Sequence, residues 1–511
     1  MSFVLCVFLL VVPLSTPLQA DSETERTVRI RVNNDTPGRA INRLLLGNNI
    51  EWTQRGDGLL EAGSLDFRPT LAQRLNALAP TVIRFPGGTF ADTYHWQRAL
   101  GPLDQRGSIE NTLTRAFERA DFGTSEFLLL CRQTGAQPLI TPNVVTGTPT
   151  EAAAWLRATN VERLAAPDGT LLPRVPYWEM GNEPYLTGER PDLALTPAAY
   201  AARANAFSAA LRQVDPDVQL GVPLLGHAPA QIVPEPQRHF NKTVLATLAQ
   251  PPDFYAVHNA YLPAYFKDLP PQEDVYYQAL ASPWLVKRDL DALHAQINAR
   301  FPDQPVRFAL SEYNALYTLG KPDTDSLSAN FTSALYVADL LLSLAQRDDV
   351  LMANYWSLLD NYVFGALDAE GRPRPAYPVL SAFSEVFRGK ILATTVTGPT
   401  FDAPAAQDSL FPGASGLPLV TALALQTQGD TRMVLINKDL HAAHAVELSF
   451  STPIQPQRLT SRGYTRDDVF EVFLEGDPTL GWRPSEVELS AGTLKLTLAP
   501  HAIRIVSWQR P

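Results

Sequence analysis

Short apolar runs recur from residue 41 to residue 388, and most are followed by a loop and then by apolar residues at helical spacing. Two of the intervening helices have clear starts, because Thr148-Pro149 and Thr196-Pro197 each place a capping threonine before a proline at the first helical position. Strands that alternate with helices imply right-handed crossovers and a parallel sheet. Eight runs are strand candidates: residues 44–47, 81–85, 139–143, 177–183, 218–222, 254–258, 308–312 and 352–356.

Eight such units predict an α/β fold, a (β/α)₈ TIM barrel over residues 41–388. A doubly wound open sheet is the alternative for the same alternation of strands and helices. The sequence does not contain the motif that commonly indicates a doubly wound sheet, because no glycine-rich phosphate-binding loop follows the first strand candidate.

The pattern changes after Gly389, where strands with alternating apolar and polar residues follow one another without a long helix. This predicts an all-β, jelly-roll-like sandwich over residues 389–511. Residues 28–32 alternate in the same way ahead of the barrel, so the region 21–40 is predicted to contribute an N-terminal strand to the sandwich. The C-terminal strand candidates are residues 419–423, 432–436, 445–450, 494–498 and 503–508.

The first twenty residues are typical of a signal peptide. Residues 3–14 are apolar, and a short segment ending in Ala20 precedes the polar Asp21. A membrane anchor is the alternative, but the apolar run is shorter than the roughly 20 residues needed to span a bilayer. We therefore expect cleavage after Ala20 and a secreted or periplasmic location.

Composition narrows the classes of partner. The chain has 511 residues and a net charge of −11, which fits more than one domain and argues against nucleic acid or an anionic membrane as partner. Cys6 lies in the predicted signal peptide, so Cys131 is expected to be a buried thiol without an intrachain partner. His441 and His444 are the only histidines near a metal-binding spacing, and we interpret them as surface residues of a strand edge. The sequence predicts neither a metal site nor a cofactor.

Three glutamates directly follow barrel strand candidates: Glu51, Glu183 and Glu312. The C-terminal ends of barrel strands carry the active site in this fold. Two carboxylates that face each other, one protonated and one ionised, suit cleavage of a glycosidic bond. The alternative for an isolated glutamate is a solvated loop charge or a partner of a helix N-terminus. Glu179 shares the face of Glu183 but lies deeper, so we expect it in core packing or a salt bridge.

Two motifs support the catalytic interpretation by resemblance. Gly181-Asn182-Glu183-Pro184 and the segment from Leu310 to Asn314 resemble the acid/base and nucleophile strands of the retaining (β/α)₈ glycoside hydrolases. A longer stretch, residues 81–160, is similar in order and spacing to the α-L-arabinofuranosidases of glycoside hydrolase family 51. Its matching segments are Arg84-Phe85-Pro86-Gly87-Gly88, Tyr94-His95-Trp96 and Phe122-Gly123-Thr124-Ser125-Glu126-Phe127.

The resemblance implies a role for each matching residue. Glu183 would be the general acid/base and Glu312 the nucleophile, with retention of configuration through a covalent glycosyl-enzyme. Glu51 would hold the hydroxyls of the arabinofuranose, and Asn182 would contact the 2-hydroxyl. Arg84 belongs to the same predicted substrate-binding set.

The sequence departs from the family pattern at three positions. Thr89 stands where the family usually has a sugar-binding asparagine, and Tyr313 stands where it typically has tryptophan. Tyr261 follows His258 by three residues instead of two, so it would reach the nucleophile only across a bulge. Trp356 on the eighth strand is placed either in the pocket or in the core.

The leading hypothesis is an exported, exo-acting, retaining α-L-arabinofuranosidase that releases arabinose from plant-type polysaccharides or oligosaccharides. Another retaining glycosidase of the same clan (a β-xylosidase, an endo-glucanase or a uronidase) and a non-catalytic carbohydrate-binding barrel are the alternatives. The expected partner is an arabinose-containing glycan. We expect no binding to nucleic acid and no membrane contact beyond export, and the sequence leaves a homo-oligomer open.

Overall fold

A computed structural model of the chain describes residues 27–186, 190–226, 233, 235–265, 269–315, 329–360, 364–406, 409–472 and 480–509. The predicted signal peptide lies outside these residues. Among the helices so described, none combines the length and the apolar character that a membrane span requires.

Eight parallel strands close into a barrel. Each strand pairs with the next along the chain, and the eighth pairs with the first through Asn354 and Gly47, so no edge remains open. The predicted barrel is confirmed, and the open doubly wound sheet is excluded. The strands are Gly47–Asn49, Val82–Phe85, Gln137–Ile140, Tyr177–Glu179, Gln219–Pro223, Phe254–Ala256, Phe308–Ala315 and Val350–Tyr355.

The first strand begins later than predicted. Arg43–Leu46 form a 3₁₀ helix, and only Gly47–Asn49 are extended. The cause is Asn42, whose side chain accepts a hydrogen bond from the Leu44 amide at 3.0 Å and donates to the carbonyl of Val350 at 2.9 Å. This cap turns the apolar run into a helical turn before the chain enters the barrel.

Helices surround the barrel, and the two predicted threonine caps are confirmed. Thr148 accepts from the Glu151 amide at 3.1 Å, and Thr196 accepts from the Ala199 amide at 3.2 Å. The α-helices are Thr53–Asp57, Ala72–Leu78, Thr124–Thr134, Pro149–Leu156, Pro197–Val214, Phe240–Thr247, Gln272–Arg300, Phe331–Ala345 and Ala376–Val386. Cys131 is buried in the third of these, as expected.

Most of the remaining strands form the predicted β domain. Thr27–Asn33 joins it by pairing parallel with His444–Phe450 and antiparallel with Lys390–Thr397, which confirms the N-terminal strand. Its alternate residues Val28, Ile30 and Val32 are fully buried. The other strands are Thr400–Ala403, Ala414–Pro418, Val420–Gln426, Asp430–Asn437, Arg458–Tyr464, Arg483–Pro484, Glu488–Ser490, Thr493–Leu498 and Ala502–Gln509. Two further pairs of short strands belong to loops of the barrel domain: Ser108–Glu110 with Phe117–Arg119, and Leu359–Asp360 with Leu367–Asp368.

The interpretation of the two nearby histidines as surface residues is wrong for one of them. His441 is exposed, but His444 is buried, and its Nε2 lies 2.9 Å from Asp439 Oδ2. His444 begins a central strand and pairs with Leu498, so its side chain is enclosed by the sheet.

A buried ion pair joins the barrel to the β domain. Lys438 Nζ lies 3.0 Å from Asp339 Oδ2, with both side chains less than a tenth exposed. Asp339 comes from the barrel helix Phe331–Ala345, and its other oxygen accepts from the Thr421 hydroxyl at 2.6 Å. The ammonium also lies 5.4 Å from the centre of the Phe401 ring. This cluster fixes the contact between the two domains.

Replacing Lys438 with methionine leaves the Asp339 carboxylate buried without its counter-charge. We expect the free energy of unfolding to fall by about 3–5 kcal/mol, measured by urea denaturation. Lys495→Met is the matched control, because Lys495 pairs with Glu447 at 3.5 Å with both side chains about half exposed, and its loss should cost less than about 1 kcal/mol. Equal losses in the two variants would contradict the prediction.

Candidate active site

The C-terminal ends of the barrel strands carry a network of charged side chains. Its members come from the second, fourth, sixth and seventh strands, where the carboxyl ends of parallel strands meet at one mouth of the barrel. In order along the chain they are Arg84, Glu179, Asn182, Glu183, His258, Tyr261 and Glu312.

Arg84 is the central cation. Its side chain is fully buried, and it donates to Glu312 Oε1 at 2.7 Å, Glu179 Oε1 at 2.8 Å and Asn182 Oδ1 at 2.8 Å. Burial alone would lower the pKa of Arg84, but the charges of Glu179 and Glu312 outweigh it and raise that pKa above its ordinary range. Arg84 therefore holds the ends of two other strands, the fourth and the seventh, in fixed positions, a structural task in addition to the predicted contact with substrate.

Glu312 is nearly enclosed, with its side chain 6% exposed. Besides Arg84, the Tyr261 hydroxyl donates to its Oε2 at 2.9 Å. Burial raises the pKa of Glu312 above its ordinary value, and the charges of His258 and Arg84 offset only part of that shift. Two fixed donors hold this carboxylate in one orientation and favour its ionised form.

Tyr261 reaches Glu312 because the sixth strand is interrupted. The strand Phe254–Ala256 ends, and the chain pairs again only at Ala260–Leu262, alongside the seventh strand. The extra residue between His258 and the tyrosine is accommodated in this break. Burial, followed by the Glu312 charge, raises the pKa of Tyr261 well above its ordinary value, so its hydroxyl keeps the proton that it donates.

His258 lies between three carboxylates. Its Nδ1 is 3.1 Å from Glu183 Oε1 and 3.7 Å from Glu312 Oε2, and its Nε2 is 3.8 Å from Glu179 Oε1. The same Nε2 is 3.0 Å from the Ser311 hydroxyl. Burial would lower the pKa of His258, but Glu312 and the other two glutamates raise it to about 10. The three surrounding carboxylates therefore favour the protonated, cationic form of the imidazole.

Glu183 is the more accessible of the paired glutamates, with its side chain 21% exposed. Gly181 turns the chain there with φ +86°, and a Cβ at this position would lie 2.4 Å from the Val144 side chain. Past this turn, Asn182 is buried against Arg84 and Glu183 faces the mouth of the barrel. The Tyr185 hydroxyl donates to Glu183 Oε1 at 3.2 Å.

Glu51 and Trp356 meet beside the glycine pair Gly87-Gly88. A Cβ on Gly88 would lie 2.7 Å from the Trp356 ring and 3.0 Å from Glu51 Oε1, so only glycine fits between them. The Trp356 side chain is partly exposed and lines the mouth, not the core. Thr89 follows this pair at the start of the 3₁₀ helix Thr89–Thr93.

A cleft opens on the outer side of Glu183. Thr89, Asp92, Asn182 and Arg190 contribute polar groups to it, and Val145, Leu186 and Leu193 are among its apolar lining residues. The structure therefore brings all eight sequence-predicted site residues to one end of the barrel.

The sequence pattern did not single out two residues of the site. His258 served only as the reference position for Tyr261, three residues later, although its position at the end of the sixth strand candidate was a usable signal. Asn49 was also missed: its Oδ1 accepts from Arg84 at 3.2 Å, and its amide donates to the Ser311 carbonyl at 2.9 Å. Glu179 takes part in a salt bridge, as expected.

Comparisons with known proteins agree with this geometry. Residues 74–261 match the family model described as the α-L-arabinofuranosidase 1 domain. α-L-Arabinofuranosidase C of Emericella nidulans is 37% identical over 161 residues, which are 30% of this chain and 32% of that protein. The chain thus matches about a third of the length of this curated relative, and the matched domain holds Arg84, Glu179, Glu183 and His258.

Solved structures match over nearly the whole chain. The α-L-arabinofuranosidase of Thermotoga maritima, solved with arabinose, has a TM-score of 0.80 at 22% identity and covers 94% of this chain and 100% of its own. The family 51 enzyme of Thermotoga petrophila has the same score and identity, with 94% and 99% covered. The chain is therefore similar in fold to the family 51 α-L-arabinofuranosidases, and residues 74–261 are similar in sequence to the α-L-arabinofuranosidase 1 domain.

The raised pKa of His258 predicts a stability that depends on pH. A group whose folded pKa exceeds its unfolded value contributes stability fully below about pH 6.5, and this contribution is lost as the pH rises through about 10. The difference in unfolding free energy between wild type and His258→Gln should therefore shrink over that range in urea titrations. His239→Gln is the control, since that side chain is 69% exposed and should give a difference near zero throughout. A His258 difference that grows toward pH 10 would refute the assignment.

Proposed function

We propose that this chain is a retaining α-L-arabinofuranosidase that removes terminal arabinofuranosyl residues from glycans. The observation that carries the proposal is the pair Glu183 and Glu312, which face each other across a barrel mouth with one histidine nitrogen between them. The similarity to arabinofuranosidases in sequence over residues 74–261 and in fold over 94% of the chain supports the choice of sugar.

The geometry allows the close carboxylate spacing of a retaining enzyme. Because His258 Nδ1 is 3.1 Å from Glu183 Oε1 and 3.7 Å from Glu312 Oε2, these two oxygens are at most about 7 Å apart. Carboxyl groups lie roughly 5–5.5 Å apart in retaining glycosidases and roughly 6.5–9.5 Å apart in inverting ones. Retention is therefore proposed from the similarity to arabinofuranosidases, and this bound is compatible with it.

In the first step, Glu312 acts as the nucleophile. Its carboxylate, oriented by Arg84 and Tyr261, attacks the anomeric carbon while the bond to the leaving oxygen breaks. Glu183 transfers its proton to that oxygen, and the cleft on its outer side receives the departing group.

In the second step, water hydrolyses the covalent intermediate. Glu183, now ionised, takes a proton from the water, whose oxygen forms the new bond to the anomeric carbon as the bond to Glu312 breaks. The sugar released keeps its configuration, and both glutamates return to their starting states.

The sugar itself would lie between Glu51, Asn182 and the Trp356 ring. Carboxylate and amide groups hydrogen-bond the hydroxyls of a small neutral sugar, and the ring covers one of its faces. Asn182 is fixed by Arg84 at 2.8 Å, so its remaining hydrogen-bonding capacity is directed into the mouth.

Removing either glutamate should stop the reaction in a characteristic way. With an aryl α-L-arabinofuranoside that has a poor leaving group, we expect Glu183→Ala to lower the turnover rate by about 10²–10⁴-fold, and Glu312→Ala to lose turnover with every leaving group. The anomeric form of the first product, followed by proton NMR, should be that of the substrate.

Aryl β-xylopyranosides and β-glucopyranosides serve as controls in the same assay. Faster turnover of one of these by wild type would replace the proposed sugar. Full activity in either alanine variant would overturn the mechanism, and binding of arabinoglycans without any hydrolysis would point to a non-catalytic barrel.

We also propose export through the N-terminal apolar segment, residues 3–14. If it is a signal peptide, protein recovered from the periplasm or medium should begin at Asp21, as read by N-terminal sequencing. Recovery of the full-length chain only from the cytoplasm would contradict the proposal.

A further inference from the structure

Glu179 is a buried carboxylate that the proposed reaction does not use. Its side chain is fully buried on the fourth strand, four residues before Glu183. Its Oε1 accepts from Arg84 at 2.8 Å and lies 3.8 Å from His258 Nε2. Its Oε2 has no hydrogen-bond partner among the described residues. Burying a carboxylate with one oxygen left without a partner costs free energy, so the presence of Glu179 requires an explanation.

The charges around Glu179 form a closed cluster. Two cations, Arg84 and His258, lie among three carboxylates, and every contact between them is at most 3.8 Å. The other described side chains that hydrogen-bond to the cluster are uncharged: the hydroxyls of Tyr185, Tyr261 and Ser311, and the amides of Asn49 and Asn182. The cluster must therefore balance its charge largely within itself.

Charge balance fixes the number of protons. Arg84 is always protonated, so the cluster is neutral when His258 and the three glutamates together hold two protons. The position of His258 between three carboxylates assigns one proton to its ring. The other is then shared by the pair Glu183 and Glu312, and the two donors on Glu312 direct it to Glu183.

We propose that Glu179 is a positioning residue that keeps Glu183 protonated as the general acid, by supplying the counter-charge that His258 and Arg84 need. The inference rests on the proposed function for the role of Glu183. Without the Glu179 charge the cluster is neutral with a single proton, for which His258 and Glu183 compete. Glu179 thus acts on the leaving-group step through His258, without touching substrate.

The test variant is Glu179→Gln, which keeps the shape of the side chain and removes its charge. We expect the basic limb of the kcat/KM profile to move down by about one pH unit or more, because Glu183 loses its proton more readily. We also expect turnover at neutral pH to fall at least about tenfold more for an aryl arabinofuranoside with a poor leaving group than for an activated one. A variant that only misplaces Arg84 would slow both substrates alike.

Two further variants separate charge from shape. Glu179→Asp keeps the charge and should keep the basic limb close to that of wild type. Glu126→Gln is a matched control, because it removes another buried carboxylate paired with an arginine, Arg106 at 2.8 Å, outside the cluster. It should lower stability and leave the pH profile unchanged. An unmoved basic limb in Glu179→Gln, or an equal shift in Glu179→Asp, would overturn the proposal.

The wild-type protein provides a readout that does not depend on turnover. In ¹⁵N-histidine-labelled protein at pH 7, the His258 ring, identified by its absence in His258→Gln, should show both nitrogens protonated. A neutral ring would overturn the proposal. Inactivity of wild type on every aryl glycoside would instead count against the proposed function, and the NMR result would still stand.

Discussion

The buried guanidinium of Arg84 is the contact on which the active site depends. It joins the second strand to the fourth and the seventh, through residues that are 95 and 228 positions away in sequence. Each of its partners is an acceptor that also serves the proposed chemistry: the Glu312 carboxylate, the Asn182 amide, and Glu179 beneath Glu183. The contacts that hold these strands together therefore also orient Glu312 directly and the strand end that carries Glu183 through Glu179 and Asn182.

His258 complements Arg84 from the opposite side. Arg84 carries a permanent charge, whereas the histidine charge exists only because carboxylates surround it. A buried arginine alone would favour ionisation of every glutamate near it. Glu179 adds a third carboxylate, and His258 adds a cation that can titrate. With both, the proposed network holds a proton that is still bound weakly enough to be transferred. In the proposed mechanism, this combination explains the presence of Glu179, a buried glutamate that does not reach the mouth of the barrel.

Much of the architecture could be predicted from the sequence, because local patterns specify it. Alternation of strands and helices gave the barrel, and alternation of residues placed Thr27–Asn33 in the β domain. Glu183 and Glu312 were found because each directly follows an apolar run. The first strand was misplaced since the Asn42 cap bonds to Val350, 308 residues away. Lys390–Thr397 and Arg458–Tyr464 were missed because much of each strand is exposed and polar.

The roles within the site could not be predicted in the same way. Whether Tyr261 reaches Glu312 depends on how the sixth strand breaks, and whether Glu179 is a salt-bridge partner depends on which strands become neighbours. His444 was misjudged for the same reason, because its burial comes from pairing with a distant strand. Residue type and spacing identify the groups that can do chemistry, but their charges are set by partners that only the closed barrel provides.

Stability alone does not account for a network of this kind, since buried ion pairs often contribute less than well-packed apolar groups of similar volume. The chain contains a comparison within itself. Asp339 and Lys438 form a simple pair with one charge of each sign, and they join two domains. The cluster at the barrel mouth has an odd number of carboxylates and leaves Glu179 Oε2 and Arg84 Nε without hydrogen-bond partners among the described residues. An arrangement optimised only for folding would satisfy those atoms. In the proposed mechanism, the third carboxylate supplies the negative charge that keeps a proton on Glu183.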